Sequence, residues 1–276
     1  MLQILVPVST YPTPPKAEQL AAIAAAAKGL GGDLEVLVHE VVTPQVASAL
    51  GRALIDVASL RKEIEDRCRE DARSAAAALE DLAKKSDLRL RSHEIVAFPA
   101  DFSTKATIAA RYCDLSIILM RKDDETDRHL AESIIFGSGR PVLLVPETCK
   151  ALDIQRIAVA WDGSRVAARA LGDAAHLFPD ASIDIVTVTD EKRIEVPKGA
   201  KLITEALGRS ARKASLRQVR REGSSIAVAL QEAALSQQAG ILAMGGFGHS
   251  RLRDFVLGGA TAGVLADVRL PILVSH

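Results

Sequence analysis

Short apolar runs recur along this chain, each closed by a polar or glycine-containing turn and most followed by a stretch of helical spacing. Leu2-Gln3-Ile4-Leu5-Val6-Pro7-Val8 reads as a first strand. The Pro14-Pro15 pair suits the first turn of a helix in which Leu20, Ile23, Ala24 and Ala27 share one face, and Gly31-Gly32 stop it. Leu34 to Val38 is a second strand, and Ile64, Cys68, Ala72, Ala75, Leu79 and Leu82 form the apolar stripe of a long helix. A third strand is expected near Ser92 to Val96, a helix through Thr107 to Ala110, and further strands at Leu115 to Met120 and Pro141 to Val145.

The order then starts again. Ile157 to Trp161 is a strand, Val166 to Ala175 a helix with Ser164 as its N-cap, and Ile183 to Val188 a strand. A helix around Lys201 to Lys213, a strand at Leu216 to Arg220 and a helix marked by Ile226, Leu230 and Ala233 follow. Ile241 to Met244 and Pro271 to Val274 close the series as strands. Alternation of this kind predicts open parallel sheets with right-handed crossovers. Two such domains in tandem are expected, residues 1–147 and 154–276, joined near Glu147 to Asp153.

Composition narrows the classes. Apolar residues make up 48% of the chain and charged residues 25%, the balance of a soluble globular protein. The 35 basic and 35 acidic residues cancel, which argues against non-specific binding of nucleic acid. No apolar run reaches membrane-spanning length, and no secretory leader is visible, so a cytoplasmic location is expected. Cys68, Cys113 and Cys149 lie far apart without a CxxC, which argues against structural disulfides and a zinc or other metal site.

The chemistry concentrates in Met244-Gly245-Gly246-Phe247-Gly248-His249-Ser250, running on to Leu257-Gly258-Gly259-Ala260-Thr261. A buried strand precedes it and the short helix of residues 260–266 follows. Glycines let a backbone approach a ligand closely, and the free amides of a helix start then face an anion. The spacing of Gly245, Gly248 and Gly258 resembles the G-x2-G-x9-G loop of the universal stress protein family. Trp161-Asp162-Gly163-Ser164 and the two Pro-led closing strands resemble that family as well. In that family the following position is Ser or Thr, and here it is Gly259.

The resemblance implies an adenine nucleotide alpha hydrolase-like, Rossmann-like α/β fold in each half: a five-stranded parallel sheet with helices on both faces. It also implies that the last strands of the two halves pair antiparallel as an intramolecular pseudo-dimer, with further homodimerisation a candidate. It points to ATP, ADP or AMP as ligand, with Mg if ATP. The implied contacts are Asp162 and Val188 beside the adenosine, and Met244, Gly245, Gly248, His249, Ser250, Gly258, Gly259, Ala260 and Thr261 around the phosphates. Thr261 offers a hydroxyl near the one missing at Gly259. For Asp162 the alternative is a cap on the following helix, and for Val188 ordinary core. Arg251 and Arg253 are either phosphate neighbours or solvated loop residues.

The first half lacks this site. Its strand at Leu115 to Met120 runs into Arg121-Lys122-Asp123-Asp124-Glu125, without glycine and with acids that repel phosphate, and Ser9 stands in place of Asp162. Met120 and Pro141 are 21 positions apart, whereas Met244 and Pro271 are 27 apart. A stress-response regulator that binds adenine nucleotide through residues 154–276 is therefore the expectation. A nucleotide-free interaction module of the same family is the alternative, and slow ATP hydrolysis a lesser one. Nucleotidyltransferase histidine motifs, an SGGxDS loop and a P-loop are all absent, and no catalytic residues are assigned.

Overall fold

The computed structural model describes residues 2–43, 57–189, 196–210, 212–246 and 259–276, with the backbone alone at 57, 58 and 196–198. Strand β1 (Leu2–Val8), helix α1 (Ala17–Leu30) and strand β2 (Gly32–Val41) open the chain. Helix α2 (Val57–Lys85), strand β3 (Arg89–Ala97), helix α3 (Pro99–Ala110), strand β4 (Leu115–Met120), helix α4 (Glu125–Gly137) and strand β5 (Val142–Pro146) complete the first half. The second half runs β6 (Arg156–Ala160), α5 (Arg165–Leu177), β7 (Ser182–Val188), α6 (Val196–Arg209), β8 (Ala214–Val219), α7 (Ile226–Ser236), β9 (Ile241–Gly245), α8 (Gly259–Ala266) and β10 (Ile272–Ser275). The expected elements are present, with shifted ends. The prolines at 14 and 15 precede α1 instead of entering it, because Lys16 is the extended N-cap residue. Its amide donates to the Gln19 side chain at 2.7 Å.

All ten strands form one sheet in the order β3-β2-β1-β4-β5-β10-β9-β6-β7-β8. Each half is parallel throughout, and the halves meet through the antiparallel pair β5·β10, with Leu143 opposite Leu273, Leu144 opposite Ile272 and Val142 opposite Val274. Central strands are covered on both faces, and this explains their largely apolar sequences: every residue of β4 and β5 is buried. The edge strands differ. On β3, Arg89, Arg91, His93 and Glu94 interrupt the apolar pattern, which discourages pairing with another chain.

Two apolar layers clothe the sheet, and both continue across the seam. One combines α1, α2 and α5 residues with Leu143, Val145 and Leu273. Cys68 of α2 is also buried, at the place its stripe predicts. The other layer joins Phe102 of α3, Ile134 of α4, Leu230 of α7 and Val264 of α8 through Leu144 and Ile272. The connector is packed as well. A Cβ on Gly29 of α1 would lie 2.6 Å from the Leu152 carbonyl oxygen, and one on Gly240 would lie 1.6 Å from that of Asp153. Those two positions need glycine because the connector backbone rests on them.

The seam gives the first expected outcome. Leu273 is fully buried against β5. Leu273→Ala should cost about 2–5 kcal/mol in urea denaturation. Leu202→Ala, at a position 64% exposed, should stay within about 0.5 kcal/mol of wild type.

Candidate functional site

In an open α/β sheet, ligands lie beyond the carboxyl ends of the strands where the strand order reverses. Here that happens twice, between β1 and β4 and between β6 and β9. In the second half the register pairs Val159 with both Ala243 and Ile185. Carried on along the strands, it sets Trp161 beside Gly245 and Asp162 level with Val188. The amide of Trp161 donates to the Val186 carbonyl at 2.8 Å, extending the pairing to the strand end.

Asp162 is exposed at this end. Its Oδ1 accepts from the Ser164 amide at 2.9 Å, Gly163 turns the chain with φ +77°, and the Ser164 hydroxyl accepts from Ala167 N at 3.2 Å. Ser164 is thus the cap of α5, and Asp162 shapes the turn that leads into it. The three residues of Asp-Gly-Ser divide the local work: an acceptor for the turn, a left-handed backbone, and a helix cap.

The remaining expected residues sort by burial. Met244 is 3% exposed and belongs to the core layer of α7 and α8. Val188 is half-buried against that same layer. Gly245 has a packing reason of its own: a Cβ there would lie 2.5 Å from the Val166 carbonyl carbon and 2.7 Å from the Ala167 nitrogen. Gly259 is exposed at the first turn of α8, and a Cβ there meets nothing within 4 Å. Ala260 is half-buried, and Thr261 is buried at 3% exposure, so it does not take the exposed place at Gly259. Gly248, His249, Ser250 and Gly258, with Arg251 and Arg253, lie outside the described residues. Among the described residues, no group of three His, Cys, Asp or Glu could hold a metal ion.

Three features here were not legible in the residue pattern. Trp161 Nε1 and Thr187 Oγ1, on neighbouring strand ends, are buried without a hydrogen-bond partner among the described residues. Gly246 reaches the first half: a Cβ on it would lie 3.2 Å from Ile135 of α4. Its carbonyl meets His276 Nδ1 at 2.9 Å, and that ring stands edge-on to Phe136 with centroids 5.2 Å apart. The seam therefore adjoins the end of β9.

The corresponding crevice of the first half is filled from within. Arg121, the first residue after β4, forks onto Asp127 of α4, with Nε to Oδ2 and Nη2 to Oδ1 both at 2.7 Å. Asp124 caps α4, accepting from the amides of Thr126 at 2.9 Å and Asp127 at 3.0 Å. Of the acids expected to repel phosphate, Asp124 occupies two amides of the first turn of α4. Two strands away, on β2, His39 is 1% exposed and stacked on Phe102 with centroids 4.3 Å apart. Its Nε2 lies 3.2 Å from the Ala97 carbonyl oxygen, so that nitrogen carries the proton in the neutral ring. Burial holds the His39 pKa below its ordinary 6.5, and the Lys105 charge pushes the same way.

A tandem open α/β protein, its two parallel halves joined in one sheet, is the class that this architecture defines. A family model for the universal stress protein family matches residues 153–276. A universal stress protein from Synechocystis sp. is 31% identical over 183 residues. That stretch covers 58% of this chain and 58% of the relative, so the chain spans little more than half the length of the curated relative it matches. A universal stress protein structure from Archaeoglobus fulgidus superposes over 98% of this chain and 97% of its own, with TM-score 0.69 at 15% identity. A candidate universal stress protein from Pseudomonas aeruginosa superposes over 100% and 93%, with TM-score 0.55 at 15% identity. At such identities the likeness is one of fold, and it takes in the first half. Residues 153–276 are a universal stress protein domain, set behind an N-terminal half of the same fold. Among the described residues no helix is long and apolar enough to cross a membrane.

Two outcomes follow from the geometry. Gly245→Ala should lose about 1–3 kcal/mol by overpacking against α5, while Gly259→Ala should stay within about 1 kcal/mol of wild type; thermal unfolding separates them. For His39, an unfolded chain takes up a proton near pH 6.5 that the folded chain refuses. Its contribution is full above that pH and is lost as pH falls toward the folded value. His39→Phe should therefore show a smaller drop in Tm between neutral and mildly acidic buffer than wild type shows.

Proposed function

We propose that residues 154–276 bind an adenine nucleotide and that the chain acts as a stress-response regulator whose state depends on that ligand. The observation that carries this reading is the contrast between the two crevices. In the second half Asp162, at the strand end beside the switch point, is exposed, and so is Gly259 at the start of α8. In the first half the same place is filled by Arg121, Asp124 and Asp127. A carboxylate at a strand end can accept from ribose hydroxyls, and amides at a helix start suit phosphate. The G-x2-G-x9-G spacing of Gly245, Gly248 and Gly258 supports phosphate binding by the loop, with Val188 beside the base. ATP or AMP is the proposed ligand, with Mg where the triphosphate binds.

Gly259 favours a second reading. A glycine lacks the hydroxyl that a Ser or Thr would bring to the terminal phosphates, which weakens the case for ATP relative to AMP. In the limit, the chain is a nucleotide-free interaction module. The same position offers a direct test, since the space around it is open and its backbone lies outside the left-handed region.

Protein purified without added nucleotide, denatured and analysed by mass spectrometry should release adenine nucleotide at close to one per chain. Asp162→Ala should release several-fold less. Gly259→Ser should fold as wild type and shift the ATP-to-AMP preference toward ATP in calorimetric titration. No released nucleotide, together with no heat from either ligand in wild type or Gly259→Ser, would leave only the interaction-module reading.

A further inference from the structure

We propose that the Arg121–Asp127 ion pair is a built-in ligand: it fills the first half's crevice as a bound anion would and holds that half permanently closed. The inference concerns the first half alone and does not depend on nucleotide binding in the second.

The donors around Asp127 are those an oxyanion takes. Its Oδ2 accepts from the Arg121 backbone amide at 3.0 Å and from Nε at 2.7 Å, and its Oδ1 from Nη2 at 2.7 Å. A guanidinium fork combined with a main-chain amide is a strong, oriented carboxylate or phosphate receptor. The Asp124 carboxylate takes two amides of the α4 first turn through Oδ1, and its Oδ2 lies 3.2 Å from Arg121 Nη2. The helix-start and loop donors named here are thus met by the chain's own acids.

The pair also closes the crevice mechanically. Arg121 Nη1 donates to the Thr13 carbonyl at 2.8 Å, so the residue after β4 is tied to the loop after β1. Glu147, just beyond β5, accepts from Gln19 Nε2 of α1 at 2.6 Å and faces the Lys122 amide at 3.4 Å. The loops after β1, β4 and β5 are thereby drawn to one place. The ion pair is deeply buried, with the Arg121 and Asp127 side chains 8% and 7% exposed. At a surface such a pair would matter little. Buried, the loss of one partner strands the other charge.

Deleting the Asp127 carboxylate should therefore unmask a receptor for a small oxyanion. The test is thermal unfolding of full-length Asp127→Ala in sodium chloride, formate or phosphate at matched ionic strength. In chloride, the variant should melt lower by on the order of 10 °C. Formate or phosphate should restore a large part of that loss while moving wild type far less. Arg121→Met/Asp127→Leu, which removes both charges, should show no anion response beyond that of wild type. An Asp127→Ala protein as stable as wild type would overturn the proposal. So would one whose loss neither anion relieves more than it moves wild type, since the pair would then be a plain strut. If Asp127→Ala does not fold in chloride, refolding in formate decides: recovery there supports the built-in ligand, and failure in both salts overturns it.

Discussion

The antiparallel pairing of β5 with β10 is the contact on which the rest depends. Each half alone would present the last strand of its sheet as an open edge, an apolar row of unpaired amides and carbonyls. Joined at Leu143–Leu273, the two edges cancel and both apolar layers run across the seam. The outer edges that remain are β3 and β8, and β3 carries charges. The connector is drawn into this arrangement too, since Leu152 and Asp153 lie on Gly29 and Gly240 with no room for a side chain between them.

Pairing two like folds makes a symmetric frame, but the two crevices it carries have opposite chemistry. In the second half the end of β6 leads to a turn built by Asp162, Gly163 and Ser164, and Gly259 at the start of α8 is exposed. In the first, a buried guanidinium and two carboxylates satisfy one another across the place a ligand would take. Both solutions answer the same electrostatic problem, a cluster of amide donors at a helix start beside a strand end. The first half supplies the acid from within.

The seam and the end of β9 are also neighbours. Gly246 follows the last residue of β9, is hydrogen-bonded to Ser275 of β10 and lies against Ile135 of α4. A shift in the backbone after Gly245 would therefore press on the first half through well-packed apolar contacts. Gly245 itself is held tightly by α5.

Much of this was present in the order of residues. Apolar runs such as Pro141 to Val145 declare buried parallel strands, and their repetition declares two halves, because a central strand covered on both faces leaves few polar positions. Ser164 as a cap and Cys68 as core also follow from local spacing alone. What spacing could not decide is why a residue is there. Gly245 reads as part of a phosphate loop, yet its missing side chain also makes room for Val166 and Ala167. Thr261 reads as a spare hydroxyl near Gly259, yet the helical turn carries it into the interior. Asp124 reads as repulsion, and only the fold shows it capping α4 beside the buried Arg121–Asp127 pair. Local pattern determines which elements form, since propensity and burial act over a few residues. The partners of a buried charge or a glycine come from distant strands and helices, and only the tertiary structure brings them together.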